Sequence, residues 1–362
     1  MFSRFLAPLV GLASLVFLGV AFWPELVGLS RTWPWAGIVA LRGSAMVAAL
    51  MLVLVLAFLS KLARPIRTLT KPVAFWLVVF IAASGWMLYD RGLGLENPSA
   101  NSANSAATAT VPSTGTRSGE ITVLSWNTMG DKPAALAIAR LALANNANVV
   151  VLAETSAETA HNVALIMMQG GVTVSEHAIA FDTDYIGHST ALLIADSLGE
   201  YRIDDTVGNT AVSPSIIAVP VSGEGPTIVA AHAVSPNALS MGRWRSDLTW
   251  LQAACERENV ILAGDLNATV DNLSGLTMAG TSGAHLGSCV DAALTTKNAG
   301  VGTWPAWAPA WLGAPIDHVM ASPSWKASAF RVLTDVDTGQ ADHRPIIATL
   351  TPATLTPTPA AP

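Results

Sequence analysis

The chain has 362 residues, 51% of them apolar and 12% charged, with a formal net charge of −6. From residue 120 onward 10 Lys and Arg stand against 22 Asp and Glu, whereas the first 119 residues hold 9 basic and 3 acidic ones. The apolar excess, concentrated before residue 90, argues against a wholly soluble protein. The acidic remainder argues against one that tracks a nucleic-acid backbone by counterion release.

Residues 1–90 read as a three-helix transmembrane anchor. The apolar stretches run from Phe5 to Leu29, from Trp35 to Leu59 and from Pro72 to Tyr89. Each approaches the roughly 20 apolar residues that span a bilayer, and a cleaved leader accounts for one such stretch but not for three. The loop between the second and third carries Lys61, Arg64, Arg67 and Lys71, and the amino terminus carries Arg4. The positive-inside rule places these in the cytoplasm. Everything after Tyr89 then lies outside, as the extracellular part of a multi-pass protein of the cell membrane. Arg31 and Arg42 in the first loop run against that bias.

Residues 91–119 are rich in Ser, Ala, Asn and Thr and read as a flexible linker. The end of the chain, 353–362, reads as a Pro/Thr-rich disordered tail. Between them, over 120–352, ITVLSW is expected to be a strand, PAALAIARLALANN a helix and NVVVLAE a strand. STALLIAD, SIIAVPV and TIVAAHAV are further strands, and the helix RWRSDLTWLQAACERE leads into the strand NVILAGDLN. APIDHVMAS and RPIIATLTP are the last two strands. Short β-branched runs mixed with amphipathic helices make this an α/β domain with a buried sheet or sheets. Its two cysteines, Cys255 and Cys289, are either a disulfide, if the domain is exported, or two buried thiols.

Polar residues sit at the ends of these apolar strands. They are Asn127 after ITVLSW, Glu154 after NVVVLA, His232 after TIVAA, and Asp265 with Asn267 after NVILAG. Asp317 and His318 interrupt PIDHVM, and Asp342 and His343 precede the last strand. Strand ends are where open α/β sheets hold ligands. A lone Asn or Asp there is usually a turn residue, but six such places in one domain point to a site.

The segments SWN (125–127), AET (153–155), GDLN (264–267), IDHV (316–319) and ADHRP (341–345) occur in an order that resembles the endonuclease/exonuclease/phosphatase superfamily. That group holds DNase I-like and exonuclease III-like enzymes, and the resemblance here is to a membrane-anchored bacterial type. It implies a four-layer sandwich of two mixed β-sheets flanked by helices, preceded here by three transmembrane helices. It also implies a Mg²⁺-dependent hydrolase of phosphate esters, with Mn²⁺ able to replace Mg²⁺. By resemblance Glu154 is the principal metal ligand, completed or supported by Asn127 and Asp342, all hard donors. Asp265 would orient or deprotonate the attacking water, Asn267 would aim its amide at the phosphoryl oxygens, and His343 would contact the scissile phosphate. Asp317 would fix the tautomer of His343, and His232 would act as general acid.

Other neighbours are read from the residues themselves. His318 follows Asp317 in a strand, so its side chain should face the other way. His188 lines the cleft or ends a strand, and Tyr185 is a candidate aromatic contact. Arg243 and Arg245, flanking Trp244, either start a helix or clamp a substrate phosphate or lipid headgroup. The stretch TWPAWAPAWLGAP (303–315) forms a cleft rim or sits at the membrane interface, where Trp is favoured.

No Arg/Lys-rich loop for DNA is present in this acidic domain. The expected activity is therefore that of a membrane-anchored extracellular phosphoesterase, with a lipid headgroup or small phosphodiester favoured as substrate and the bilayer as the partner of the three helices. The alternatives are an extracellular DNA/RNA nuclease and, in another class, an inactive surface binding module on the same fold.

Overall fold

The computed structural model describes residues 2–62, 64–93, 119–182, 184–280, 283 and 285–353. The expected linker, from residue 94 to 118, and the tail after residue 353 lie outside the described residues.

Three long helices, α1 (Phe2–Phe22), α3 (Arg42–Leu59) and α4 (Arg64–Arg91), form the N-terminal part, with a short α2 (Trp35–Ala40) ahead of α3. The three long helices have the length and apolar composition to cross a membrane. They pack around Ala21, Ala49, Leu77 and Phe80. Two expected spans differ in extent. The first helix stops at Phe22 because Pro24 starts a tight turn, Pro24–Val27, closed by Gly28 at φ 71°. The second is broken at Leu41, so that Trp35–Ala40 is a helix of its own.

The C-terminal part is built from two six-stranded sheets. The strands are β1 (Ile121–Asn127), β2 (Val149–Ala153), β3 (Val174–Ala180), β4 (Ser189–Ala195), β5 (Tyr201–Ile203), β6 (Ile216–Pro220), β7 (Thr227–His232), β8 (Val260–Asp265), β9 (Val290–Asp291), β10 (Asp317–Ala321), β11 (Trp325–Val332) and β12 (Ile346–Pro352). The helices are α5 (Ala135–Ala144), α6 (Ala157–Gln169), α7 (Met241–Ala254) and α8 (Ala292–Thr295). One sheet runs β11-β12-β1-β2-β4-β3 and the other β5-β6-β7-β8-β10-β9. Each is mixed, with a single parallel pairing at its centre: β1 with β2 and β7 with β8.

The layers follow from alternation along the strands. Val123, Val151 and Leu192 meet Ile228, Ile261 and Val319 between the sheets. The residues that alternate with them, Leu124, Trp126, Val150 and Leu152, pack under Ile138 and Ala142 of α5 and Val163 and Met167 of α6. On the far side Val229 and Leu262 pack under Trp244, Leu248 and Leu251 of α7. The helix α6 starts where Ser156 accepts a bond from the Thr159 N–H at 3.1 Å, with Glu158 in the first turn, a favourable end for a helix. This is the four-layer sandwich of two mixed sheets that the sequence led us to expect. Cys255 and Cys289 are joined in a disulfide across a sequence separation of 34, a closure of roughly 3–4 kcal/mol in the chain-entropy model.

The sandwich sits directly on the anchor. Asp271 is shared by Arg91 (2.5 and 2.6 Å) and Arg42 (3.3 Å). Arg31 donates to the Asn272 carbonyl at 3.2 Å and to that of Ser274. Asn272 donates back to the Ser30 carbonyl at 2.8 Å. Backbone bonds from Ala299 to Arg91 (3.1 Å) and from Gly300 to Gly92 (2.9 Å) secure the end of α4. Gly43, at the start of α3, lies so close to the backbone of Trp311 that a Cβ would collide with its carbonyl. Arg31 and Arg42, which ran against the charge bias of the loops, are therefore bound to the folded domain.

Burial alone would raise the Asp271 carboxyl, but Arg91 and Arg42 hold it below the usual range. A depressed carboxylate stabilises the fold above its ordinary value of about 4 and loses that contribution as pH falls through the lowered one. Replacing Asp271 by Ala leaves two poorly exposed guanidinium groups unpaired, at an expected loss of about 3–5 kcal/mol. Thermal unfolding of the detergent-solubilised chain should show this as a lower midpoint near pH 7, while Asp204→Ala, whose one cationic partner Arg257 is 30% exposed, should lower the midpoint less.

Candidate active site

Alternation also delivers the site. In β8 the inward series Ile261 and Ala263 continues to Asp265, and in β10 Ala321 and Val319 continue to Asp317. In β1 Ile121 and Val123 lead along the same face to Asn127, and in β7 Ile228 and Ala230 lead to His232. Four strands thus place a polar residue at the same end of the seam between the sheets. Glu154 is different. Its predecessors Val150 and Leu152 face the helices, and a fully extended Glu154 would follow them. Its φ of 53° turns it to the cleft instead, in a conformation that costs a non-glycine residue about 1–3 kcal/mol. Asn267 is held likewise, at φ 47°. Gly264 permits the close approach of β8 to β7, since a Cβ there would strike the Ala231 carbonyl.

Hydrogen bonds weld these groups into one cluster. The Asn127 amide bridges Glu154 Oε1 and Asp265 Oδ2, both at 3.0 Å, while its oxygen accepts from the Met129 N–H at 2.9 Å. His343 Nδ1 stands 2.8 Å from Asp317 Oδ2, and its Nε2 lies 3.7 Å from Asp265 Oδ2. The Asn267 amide donates to the Ala233 carbonyl (3.0 Å) and to Asp265 (3.2 Å). It is occupied in holding Asp265, a different task from the expected one of reaching phosphoryl oxygens. Asp342 accepts from Trp304 Nε1 at 2.9 Å.

The electrostatics follow from burial and crowding. Burial alone would lower the His343 imidazole, but the Asp317 and Asp265 carboxylates outweigh it and raise it well above its ordinary range. The two carboxylates thus favour the imidazolium form of His343. Asp265 is raised, chiefly by burial and also by Asp317, against the pull of His343. Burial raises Glu154 too. His232, buried beside Thr190 Oγ1 at 3.1 Å, is pushed down to about 3, chiefly by burial. A ring held neutral is a poor proton donor, so the expectation of a general acid fits His343 better than His232.

Asp265, Asp317 and His343 present ligand atoms within 4.8 Å of one another, and Asp317 Oδ1 is buried with no hydrogen-bond partner. The donors about the cleft that suit a hard divalent cation are carboxylate oxygens, among them those of Glu154 and Asp342. The excess of carboxylates over the one imidazolium makes a cation favourable there. Asn127 borders that group, its amide bonded to Glu154 and Asp265 and its oxygen accepting from the Met129 N–H.

Other expected residues fall elsewhere. His188 stacks edge-on against Tyr185, with ring centres 4.7 Å apart, and Tyr185 lines the cleft. Arg243 and Arg245 are exposed on α7 and do not line it. Arg245 donates to the Arg31 carbonyl at 3.2 Å, which commits it to the anchor and away from a substrate clamp. His318 is buried on the face opposite Asp317, as expected, between Asp291 Oδ2 and the Ala268 carbonyl, both at 2.7 Å. Two contributors were not anticipated. Arg344 donates to the carbonyls of Gly302, Pro305, Ala306 and Ala308, so the residue next to His343 shapes the Trp-Pro loop. Ala36, Gly37, Ala40 and Leu41 of the anchor line the cleft, and their apolar character gave no sign of it.

The model of the Endonuclease/Exonuclease/phosphatase family matches residues 124–340. The chain belongs to that family. Its members are phosphate-ester hydrolases, nucleases and phosphatases among them, and typically depend on a divalent metal. Among solved structures the chain is similar to an endonuclease/exonuclease/phosphatase from Beutenbergia cavernae DSM 12333, at 16% identity and a TM-score of 0.47, covering 65% of this chain and 72% of that one. It is similar to a humanized D. rerio TDP2 (17%, 0.49; 64% and 99%). It is similar also to a mannosyl-6-phosphatase from Bacteroides thetaiotaomicron VPI-5482 (15%, 0.45; 64% and 99%). No curated protein matches the chain.

The paired state of His343 can be measured. A raised imidazole contributes stability that is fully present below its ordinary value of about 6.5 and is lost as pH rises through the elevated one. In metal-free protein, ¹⁵N chemical shifts of His343 should show it protonated at pH 7.5, and Asp317→Asn should move its titration to lower pH by at least about one unit. An unshifted titration would mean that Asp317 does not hold the ring.

Proposed function

We propose that this family member is a membrane-anchored, outward-facing hydrolase of phosphate esters that works with a divalent cation, Mg²⁺ or Mn²⁺. Lipid headgroups or small phosphodiesters are its favoured substrates. The observation that carries this reading is the cluster at the end of the seam: a His343 ring pinned by Asp317, facing an Asp265 carboxyl tied through Asn127 to Glu154.

Each residue then has a task. Asp265, raised toward neutrality and fixed by Asn127 and Asn267, accepts a proton from the attacking water. His343 presents its Nε2–H to the phosphoryl group and its leaving oxygen, and Asp317 keeps that nitrogen forward. Glu154 and Asp342 would hold the cation, which when bound neutralises phosphoryl charge. Asn127 keeps Glu154 and Asp265 in register. His232 packs the seam behind them as a neutral ring.

The outward placement draws on the basic residues. Lys61, Arg67 and Lys71 lie at the far end of α3 and α4 from the sandwich, across a helix of 18 residues, about 27 Å. The cations on the sandwich side, Arg31, Arg42 and Arg91, are engaged by Asp271, Asn272 and Ser274. The acidic balance of the domain disfavours long nucleic acid, and a non-catalytic binding role would not require a strained Glu154 beside an imidazolium.

In the full chain, hydrolysis of bis(4-nitrophenyl) phosphate should fall by about 10²–10⁴ in Asp265→Asn and in His343→Ala. Glu154→Gln should fall as well but recover part of its rate as Mg²⁺ or Mn²⁺ is raised, whereas Asp265→Asn should not. Near wild-type turnover in folded Asp265→Asn and His343→Ala would overturn the mechanism, and rapid cleavage of plasmid DNA in preference to small diesters would favour the nuclease.

A further inference from the structure

The anchor does more than hold the domain at a membrane. The cleft, about 500 Å³, has Glu154, Asp265 and His343 on one side and Gly37, Ala40 and Leu41 on the other. Those apolar residues belong to α2 and its junction with α3. Ala36 is buried in the same core as Trp244, Leu266 and Ala268 of the sandwich, and the Asn272 amide reaches the Ala36 carbonyl at 3.4 Å. With Asp271 clamped by Arg42 and Arg91, and Ser44 bonded to the Leu312 carbonyl at 2.9 Å, α2 is set firmly against the cleft.

The apolar wall runs into a helix that is apolar over most of its length. Leu41 is followed at once by Arg42, the first residue of α3, a helix apolar enough to cross a bilayer. Large apolar side chains are exposed in the segments that flank this junction: Leu26 at 72% and Trp33 at 63% before α2, and Trp307 at 84% in the Trp-Pro loop. Trp at this level suits the membrane–water boundary. A soluble phosphate ester needs no wall of this kind, and an anchor serving only as a tether has no reason to line the cleft.

We infer that the substrate is an amphiphilic phosphate ester of the membrane itself. Its phosphate reaches the strand-end cluster, and the first part of its apolar chain lies along Gly37, Ala40 and Leu41. The inference rests on the phosphoesterase reading and adds the chemical class of the substrate. The small residues of α2 leave room for the chain, and Ala40 is the position where a larger side chain fills that room.

The test uses the full chain in nanodiscs and two diesters with the same reacting group, hexadecyl 4-nitrophenyl phosphate and methyl 4-nitrophenyl phosphate. The hexadecyl ester should be favoured in kcat/KM by about 100-fold, the effect of burying three or four methylene groups. Ala40→Leu should remove most of that preference. A second readout needs no turnover: hexadecylphosphonate binding in EDTA, which should be about tenfold weaker in Ala40→Leu. If Ala40→Leu fails to fold, the wild-type preference and phosphonate binding decide alone. Hydrolysis of both esters at equal efficiency would overturn the lipid inference and leave the phosphoesterase intact. Tight phosphonate binding with neither ester cleaved would support the lipid site and overturn the phosphoesterase reading.

Discussion

Four carboxylates, Glu154, Asp265, Asp317 and Asp342, converge about one imidazolium at the end of the seam between the sheets. Asp265, Asp317 and His343 are buried there, and like charges at such range cannot all persist unless paired or bridged. The fold answers with an amide between Glu154 and Asp265, an indole N–H on Asp342 and a protonated His343 held by Asp317. The balance stays negative, and a divalent cation is the counter-charge that such oxygens are suited to take. Burial is the chief reason that Asp265 is raised, and Asp317 adds to it.

The same rule, that a buried charge must find a partner, joins the two halves of the molecule. Arg42 sits at the first turn of an apolar helix where a cation is costly, and Arg91 ends another. Both are accommodated by Asp271 in the loop that follows the β8 end. That loop carries Asp265 and Asn267 at its start and Asp271 and Asn272 a few residues on. The segment that shapes the cluster therefore also grips the N-terminal helices, and the position of α2 against the cleft is tied to the geometry of the cluster.

Much of this was legible in the sequence, for physical reasons. The eight strands that stood out, β1, β2, β4, β6, β7, β8, β10 and β12, are the inner strands of the two sheets, where burial on both faces forces unbroken apolar runs. The four that did not, β3, β5, β9 and β11, are the edges. VSEHAIA and WKASAFRV carry polar residues on an exposed face, and β9 has two residues. The helix α6 escaped notice because its apolar positions, Ala160, Val163 and Met167, are sparse among polar neighbours. The strand-end residues were visible as polar interruptions of apolar strands, and the period of two correctly sent His318 away from Asp317. Less visible was what a side chain does once placed: the Asn267 amide is spent on Asp265, and Arg245 bonds the anchor. The wall formed by Ala36 to Leu41 was invisible, since an apolar residue in a membrane segment reads the same whether it meets lipid or a cleft.

The direct measure of the crowded cluster is its appetite for a cation, independent of turnover. Mn²⁺ added to the metal-free full chain near pH 7 and followed by electron paramagnetic resonance should be taken up at a saturable site. Uptake should be about tenfold weaker or more in Glu154→Gln, while Glu158→Gln, on the outer helix α6, should bind as wild type does. Mn²⁺ uptake that is absent, or equal in wild type and Glu154→Gln, would contradict a cleft whose surplus of carboxylate charge is built to be balanced by metal.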